Sequence, residues 1–214
     1  MRRGLVVAID GPAASGKGTL ARNLAAKFGL AHLDTGRLYR ATALRVLAAG
    51  GDPADPETAA AAARGLDPAL LDDPRLRDEA VGRAASVVAA IPAVRAALLA
   101  FQRRFAGQPQ GAVLDGRDIG TVVCPDADVK LFVTASREER ARRRAKELRE
   151  NGAPAIYEAV LRDIEERDAR DSGRRDAPLL AAPDAVIIDS TGLDPDQVLE
   201  QASRLVTRAL AARP

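Results

Sequence analysis

Residues 5–19 read LVVAIDGPAASGKGT and decide the fold. The apolar run ends at Asp10, a glycine-rich loop follows, and Lys17 opens an amphipathic stretch that extends to Phe28. This order predicts a strand, a loop whose backbone N–H groups turn inward, and a helix whose positive end faces a polyphosphate. The chain has four lysines against 28 arginines. A lysine at this position therefore indicates a compact ammonium between phosphate oxygens.

The loop departs from the common phosphate-binding pattern at one position. Gly18 follows the lysine where Ser or Thr usually holds Mg²⁺, and Thr19 comes one residue later. The sequence therefore argues against direct metal ligation by this loop, and we assign no protein residue to a metal. The residues predicted to cradle the polyphosphate are Gly11, Pro12, Ala13, Ala14, Ser15, Gly16, Lys17, Gly18 and Thr19.

Composition sets the outer limits on function. A chain of 214 residues with 47% hydrophobic and 29% charged residues can bury one sizeable core. The formal net charge is +2 but aromatics make up only 3%, so stacking platforms for nucleic acid are scarce and phosphorylated small molecules are the expected partners. The N-terminal Met1-Arg2-Arg3 leads into a strand too short for a signal peptide or a membrane span. We expect a cytoplasmic protein without membrane contact.

Two isolated residues of reactive type receive structural interpretations. Cys124 lies between Val123 and Pro125, permits no internal disulfide and has no histidine near it in sequence, so we predict a small buried hydrophobe. His32 is the only histidine and precedes Asp34 in a short apolar segment. We predict a structural role for it.

Strands and helices alternate along the chain. Apolar runs predict strands at 112–115, 129–133 and 185–189. Helical patterns cover roughly 17–28, 36–49, 78–90, 94–106, 137–150, 155–169 and 194–211. This alternation predicts an α/β fold, a P-loop NTPase core with a parallel sheet flanked by helices, with ligands at the carboxyl ends of the strands.

Residues 50–76 break the alternation with a Gly-Gly pair and four prolines around a short alanine tract. We therefore predict one domain over 1–214, with its core at 1–49 and 96–214 and an inserted lobe at about 50–95.

The arginine-rich stretch 137–144 allows two interpretations. It is either a solvated face with i,i+4 pairs such as Glu139 with Arg143, or a lid helix whose arginines close over a triphosphate. Three consecutive arginines in this stretch carry more positive charge than the neighbouring acids can pair. We favour a lid over about 140–158, with Arg143 and Arg144 predicted to contact the triphosphate.

Asp34-Thr35-Gly36 ends a predicted strand and opens a helix whose first turns hold Tyr39 and Arg40. A phosphate there would meet a helix N-terminus, a hydroxyl and a guanidinium. Core packing of Tyr39 or a surface ion pair of Arg40 would explain either residue alone. The presence of both Tyr39 and Arg40 near Thr35 favours a binding site for the phosphate of an acceptor substrate.

Asp115-Gly116-Arg117-Asp118 follows a predicted strand and so lies at its carboxyl end. Gly116 permits close approach of the backbone to a ligand. A Walker-B-like Asp115 near a metal is an alternative that stays open beside a nucleotide-binding role for the motif.

Arg167, Asp171 and Arg174 are spaced four and three residues apart, which aligns them along one helix face until Gly173 ends the helix. Considered alone, they would be a surface ion-pair ladder that adds little stability.

Together these motifs resemble those of bacterial cytidylate kinases, which transfer the γ-phosphate of ATP to CMP or dCMP. The resemblance covers nearly the whole chain. Its carriers are 9–19, Leu33-Asp34-Thr35-Gly36 with Tyr39-Arg40, Ala84-Ala85-Ser86 with Ile91-Pro92 and Arg95, 115–118, Arg167-Asp168, Asp171, Arg174 and Ala177-Pro178-Leu179. Thr35 stands where the family often has Ser, which preserves the hydroxyl. Residues 66–79 are too short for the small β-sheet insertion of members with a larger lobe.

The resemblance implies an acceptor site made of Thr35, Tyr39, Arg40, Ser86, Arg95, Gly116, Arg117, Asp118, Arg167, Asp171 and Arg174. It assigns Arg117 and Arg174 to the CMP phosphate, and Asp118 to the base. A carboxylate suits cytosine because the exocyclic N4 amino group is a donor, whereas uracil presents the acceptor O4.

The resemblance also implies in-line transfer catalysed by Lys17, Arg117, Arg174 and Arg143 through charge neutralisation. Mg²⁺ is expected with ATP, held mainly by phosphates and water. The resemblance further implies a monomer that binds only small-molecule substrates.

Two alternatives remain at this stage. A P-loop kinase for AMP, UMP or shikimate would share the loop, but should not carry Ser86, Arg95 and Asp118 together. A GTPase switch needs a guanine-reading Asn-Lys-x-Asp motif, which the sequence does not contain. A nucleic-acid-stimulated ATPase needs a basic, aromatic surface, which the composition does not support.

Overall fold

The computed structural model describes residues 4–150 and 152–213, which alternate between strands and helices. The strands are β1 (Val6–Asp10), β2 (Ala31–Asp34), β3 (Ala112–Gly116), β4 (Val129–Thr134) and β5 (Val186–Asp189). The helices are α1 (Lys17–Phe28), α2 (Thr35–Ala48), α3 (Pro56–Arg64), α4 (Glu79–Val88), α5 (Pro92–Ala106), α6 (Arg137–Glu150), α7 (Tyr157–Ser172) and α8 (Pro195–Ala211). The predicted strands and helices are confirmed to within about three residues at each end. Helix α3 and two 3₁₀ turns occupy the segment where the alternation breaks.

The five strands form one sheet in the order β2-β3-β1-β4-β5. Strand β1 lies between β3 and β4 and is parallel to both, and β5 is parallel to β4. All five residues of β1 are buried, as expected for a strand covered on both faces. The chain order of the strands reverses at β1, so the loop that follows β1 lies at the switch point where α/β sheets bind ligands. The predicted α/β class is confirmed.

The core of the sheet consists of aliphatic side chains from the strands and from α1 and α8. Leu24 of α1, Leu131 of β4 and Val206 of α8 are almost completely buried in one cluster. A second cluster packs α6 against α7 through Ala141, Ala145 and Ile164, among others. Burying each larger aliphatic side chain contributes about 1.5–3 kcal/mol to folding. These contacts make α6 and α7 a pair beside the sheet.

The chain divides into two compact units. One contains residues up to Leu33 and from Ala106 onward, and the other is Asp34–Phe105. In the second unit, Leu44 of α2 packs with Leu76 and Val81 in a separate apolar cluster. This unit contains the lobe predicted over about 50–95, together with α2 and most of α5, which lie within the predicted core ranges 1–49 and 96–214. The role of the lobe in nucleotide binding stays a prediction.

Two further observations concern individual segments. Cys124 is half-buried rather than buried as predicted, and the two residues that follow it, Pro125 and Asp126, are exposed. Among the described residues, no single helix is long and apolar enough to cross a membrane; α4 and α5 reach that composition only as a pair bent by 99°.

Asp10, the last residue of β1, anchors a π-helical turn at Ile119–Val123. Its two carboxylate oxygens accept hydrogen bonds from the backbone N–H groups of Ile119, at 2.7 Å, and Gly120, at 2.8 Å. Burial raises the pKa of Asp10 to about 6, even though both backbone hydrogen bonds favour the charged form. This carboxyl therefore shapes the backbone directly after Asp118.

The raised pKa of Asp10 predicts a specific pH dependence of stability. The folded protein binds a proton at Asp10 near pH 6, and the unfolded chain only near its ordinary value of 3.8. The tighter proton binding of Asp10 in the folded protein therefore contributes its full stabilisation below pH 3.8, and this stabilisation is lost as the pH rises through about 6. Asp10→Asn removes this titration. We expect the difference in unfolding free energy between wild type and variant to fall by about 2 kcal/mol from pH 4 to pH 7.

Urea denaturation of both proteins at pH 4, 5, 6 and 7 measures this difference. The comparison cancels the contributions of other carboxyls that both proteins share. One of these is Asp171, whose lowered pKa makes stability depend on pH in a more acidic range. A difference that is the same at every pH would contradict a buried, titrating Asp10.

Candidate active site

The loop between β1 and α1 has the backbone geometry of a phosphate cradle. Gly11 has a φ of +153°, and a Cβ there would lie 2.0 Å from the carbonyl oxygen of Val133. Gly16 has a φ of +89°, and Ala14 is left-handed at +58° although it is not a glycine. For an L-residue that conformation costs about 1–2 kcal/mol. Alternating backbone handedness turns N–H groups toward one concave side, as anion-binding nests require.

Lys17 is the first residue of α1, and its ammonium lies back over the loop. Its Nζ donates to the carbonyl oxygen of Pro12 at 3.3 Å. The first turn of α1 contains no acidic residue, so no carboxylate of that turn offsets the positive end of the helix dipole. The loop, the lysine and the helix end thus present positive charge and donors to one place.

Asp115, at the end region of β3, lies beside this loop. A Cβ built on Gly18 would be 3.6 Å from Asp115 Oδ2. Asp115 Oδ1 and His32 Nε2 are 2.8 Å apart and share a hydrogen bond. His32 thus contacts a buried carboxylate, and its structural role stays a prediction. Among the described residues, no group of three or more His, Cys, Asp or Glu side chains is arranged to hold a metal.

The arginines of α6 differ in what they contact. Arg143 donates through Nη1 to Ser190 Oγ at 2.9 Å and to the carbonyl oxygen of Ser15 in the loop at 3.5 Å. Its Nε also donates to Glu139 at 2.9 Å, so the predicted i,i+4 pair is present together with the loop contact. Arg144 forms its ion pair with Glu147 of the same helix. The structure thus brings Arg143 to the phosphate loop.

Arg140, one turn before Arg143, is a residue that the sequence interpretation missed. Its side chain is 4% exposed and forms two hydrogen bonds with the carboxylate of Asp168 on α7, at 3.0 and 2.6 Å. Its guanidinium also donates to the carbonyl oxygens of Ala13 at 3.3 Å and Ala135 at 3.0 Å. The available signal was its place next to the apolar stripe of α6, which begins at Ala141.

A second cluster of charges surrounds Asp171 in the last turn of α7. Its Oδ2 accepts from Arg117 Nε at 2.7 Å, and its Oδ1 pairs with Arg174. Burial would raise the pKa of Asp171, but the positive charges of Arg117, Arg174 and Arg167 hold it below its ordinary value. Helix α7 ends before Gly173, as predicted, which frees Arg174 to turn back onto the carboxylate. Two guanidinium groups therefore share one carboxylate.

Three more residues predicted for the acceptor site lie close in sequence to Arg117 or Asp171, namely Gly116, Asp118 and Arg167. Gly116 is buried at the end of β3, and its carbonyl oxygen accepts from Arg117 Nη1 at 3.2 Å. Asp118 is buried, and its carbonyl oxygen caps the π-helical turn by accepting from the N–H of Val122 at 2.9 Å. Arg167 Nη1 lies 4.0 Å from Asp163 Oδ2, one turn earlier on α7.

The second unit holds the other predicted acceptor residues. Thr35 begins α2 and is buried, and Ser86 is buried in α4. The Arg95 guanidinium carbon lies 5.8 Å from the centre of the Tyr39 ring, a cation–π distance. Arg40 donates to the carbonyl oxygen of Leu76 at 2.8 Å. The structure therefore brings Tyr39 and Arg95 together within this unit.

Comparison with known proteins finds a matching family model, similar sequences and a similar fold. The family model described as Cytidylate kinase matches residues 7–208. A cytidylate kinase of Methylocella silvestris is 60% identical over 205 residues, covering 96% of this chain and 95% of that protein. A cytidylate kinase of a Methylobacterium species is 66% identical over 181 residues, covering 85% and 86%. An uncharacterized protein from Eubacterium ventriosum, 13% identical, shares the fold with a TM-score of 0.57 over 96% of this chain and 99% of that one.

Proposed function

Because the chain belongs to the cytidylate kinase family, we propose that it transfers the γ-phosphate of ATP to CMP or dCMP, giving ADP and CDP or dCDP. The observation that carries this proposal is the pairing of two features in one compact unit. The phosphate loop has Lys17 folded over it and Arg143 against it. The same unit holds two arginines on Asp171, which suit the phosphate of an acceptor nucleotide.

We assign the triphosphate of ATP to residues 11–19. Lys17 contacts the β- and γ-phosphates, and Arg143 and Arg144 approach from α6. Mg²⁺ bound with ATP is held mainly by phosphate oxygens and water, since this ion retains several water ligands in such sites. Asp115 fits this arrangement because it supplies one carboxylate beside Gly18. When bound, Mg²⁺ neutralises charge on the phosphate oxygens.

We assign the acceptor phosphate to Arg117 and Arg174, the ribose hydroxyls to Arg167 and Asp171, and the base to Asp118. These assignments are supported by burial of both aspartates, which strengthens their hydrogen bonds to a ligand. The remaining acceptor residues follow from the family resemblance and are Thr35, Tyr39, Arg40, Ser86, Arg95 and Gly116.

We propose transfer in line, without a covalent intermediate. An oxygen of the CMP phosphate attacks the γ-phosphorus of ATP, and ADP leaves as the bond between its β-phosphate oxygen and that phosphorus breaks. The charges of Lys17, Arg143, Arg117 and Arg174 stabilise the transition state. Correct relative placement of the two nucleotides supplies most of the remaining acceleration.

Acceptor-dependent ADP formation, measured with MgATP across CMP, dCMP, UMP, AMP and shikimate, tests the proposal. We expect CMP and dCMP to be the preferred acceptors. Preference for AMP, UMP or shikimate would move the protein to another kinase activity. ATP hydrolysis that is stimulated by nucleic acid and shows no acceptor preference would overturn the proposal.

Base selection through Asp118 gives a quantitative prediction. As a carboxylate it only accepts hydrogen bonds, so it favours the N4 amino group of cytosine and repels O4 of uracil. Asp118→Asn can present either a donor or an acceptor. We expect the ratio of kcat/KM for CMP over UMP to fall about 5- to 150-fold, the worth of one good base-edge contact.

This ratio is measured for the wild type and for Asp118→Asn at the same MgATP concentration. The control is Asp126→Asn, which changes an exposed aspartate in the turn that follows. An unchanged ratio in a folded, active Asp118→Asn protein would show that Asp118 does not select the base.

We further propose that the protein acts as a monomer in the cytoplasm, in pyrimidine nucleotide metabolism. The resemblance supports this proposal. Light scattering coupled to size-exclusion chromatography measures the mass in solution, and a mass of twice the 22.5 kDa of the chain would contradict the monomer.

A further inference from the structure

We propose that Arg140 and Asp168 are positioning residues that hold the ATP phosphate loop and the acceptor arginines at a fixed separation. The inference rests on the proposed function, because it concerns the alignment of two phosphates for transfer. It starts from the ion pair between the buried Arg140 and the half-buried Asp168, to which the assignments above give no role.

The contacts of Arg140 reach three separate segments. Its Nη1 donates to the loop carbonyl of Ala13 at 3.3 Å, and its Nε donates to the carbonyl of Ala135 after β4 at 3.0 Å. Its two Nη atoms also form the paired hydrogen bonds to Asp168 of α7. Only a guanidinium offers donors in this fixed fork, and a lysine ammonium cannot reproduce it. Arg140 therefore ties the phosphate loop, the end of β4 and α7 to one rigid group.

The pair continues into the acceptor cluster through α7. Asp168 and Asp171 are three residues apart on this helix, so they lie on neighbouring positions of one face. Asp171 holds Arg117 and Arg174. Packing of Ala141 and other α6 side chains against α7 stiffens the connection. A path therefore runs from the phosphate loop through Arg140, Asp168 and one turn of α7 to the acceptor arginines.

Partial burial of this pair is a weak argument for a purely stabilising role. Removing two charges from water costs energy that their attraction only partly offsets, and replacing such a pair by apolar residues of similar volume is often neutral or stabilising. Positioning is a different matter, since displacement of reacting groups by about 1 Å can lower a rate about 10²-fold. The pair should therefore affect kcat more than folding.

The first experiment compares Arg140→Lys and Asp168→Asn with wild type. We expect kcat with CMP and MgATP to fall about 10- to 100-fold, while the KM values for both substrates change less than about threefold. The matched controls are Arg170→Lys and Glu166→Gln, an exposed pair on α7 with 3.7 Å between its charged atoms. The controls should keep wild-type kcat. Wild-type kcat in both Arg140→Lys and Asp168→Asn would overturn the proposal.

The second experiment separates positioning from folding. In the double variant Arg140→Met with Asp168→Leu, we expect a thermal unfolding temperature at or above that of Asp168→Asn, with kcat still reduced about tenfold or more. Recovery of wild-type kcat together with stability would show that the pair only supports the fold. If the double variant does not fold, the binding measurement below on Arg140→Lys decides.

The third experiment measures site separation without catalysis. A ligand in which five phosphates join adenosine to cytidine occupies both sites at once, so its affinity depends on their spacing. By calorimetry, we expect Arg140→Lys to weaken this ligand about tenfold or more, and ADP or CMP alone by less than about threefold. Equal losses for all three ligands would overturn the positioning role. A wild-type enzyme that does not phosphorylate CMP would instead contradict the proposed function.

Discussion

We expect Lys17→Ala to lower kcat by about 10²-fold or more while the protein stays folded. The ammonium of Lys17 lies over the phosphate loop, 3.3 Å from the carbonyl oxygen of Pro12, at the start of α1. In the proposed transfer it faces charge that changes between the ground state and the transition state, so we expect its loss to appear mainly in kcat. Steady-state kinetics with CMP and MgATP measure the effect.

The matched control for this prediction is Lys27→Ala, since Lys27 is an exposed residue in the last turn of the same helix. It removes the same charge from α1 without touching the loop. Lys17→Arg is a second comparison, because a planar guanidinium keeps the charge but not the compact shape. Near-normal turnover of a folded Lys17→Ala protein would contradict the phosphate-cradle assignment.

Replacing an acceptor arginine by lysine is expected to give the second large loss. Arg117 uses Nε to hold Asp171 at 2.7 Å, which leaves its Nη groups to reach a phosphate in addition to the carbonyl of Gly116. A lysine cannot serve both the carboxylate and a phosphate in that geometry. We expect kcat/KM for CMP to fall about 10- to 100-fold in Arg117→Lys and in Arg174→Lys.

Arg204→Lys is the control for these variants, since Arg204 forms an exposed pair with Glu200 on α8. Arg40→Lys tests in the same way whether Arg40 shares the acceptor phosphate. Cytidine without its phosphate should be a poor substrate in the wild type. Wild-type kcat/KM in the Arg117→Lys and Arg174→Lys proteins would mean that the proposed acceptor site is wrong.

Most of the architecture followed from patterns that act over short distances. The phosphate loop could be predicted because a buried strand, left-handed glycines and a helix start need particular residues within one stretch, 5–19. Gly173 likewise marked the end of α7, since a helix end depends on its own last turn. Helix α3 was the exception. Its nine residues begin at Pro56 and Asp55 caps them, but the prolines around it led only to the prediction of an inserted lobe.

Contacts between distant segments were beyond the reach of such patterns. Arg140 belongs to a run of charges that has the same composition whether it faces solvent or protein. Its burial depends on which side of α6 meets α7 and the phosphate loop. The same applies to Asp10, whose partner Ile119 is 109 residues away, and to the contact of Arg143 with the carbonyl oxygen of Ser15. The assignments of individual residues to CMP stay predictions.

By itself, the sequence determined the strand-loop-helix at residues 5–19, the order of strands and helices, and the family, because each is encoded in local spacing and residue type. Only the tertiary structure decided which charged groups became buried partners. It placed Arg140 on Asp168 and Arg117 on Asp171. The physical reason is that a charge leaves water only when the fold supplies an opposite charge and hydrogen bonds for it, and those come from segments that meet only after folding.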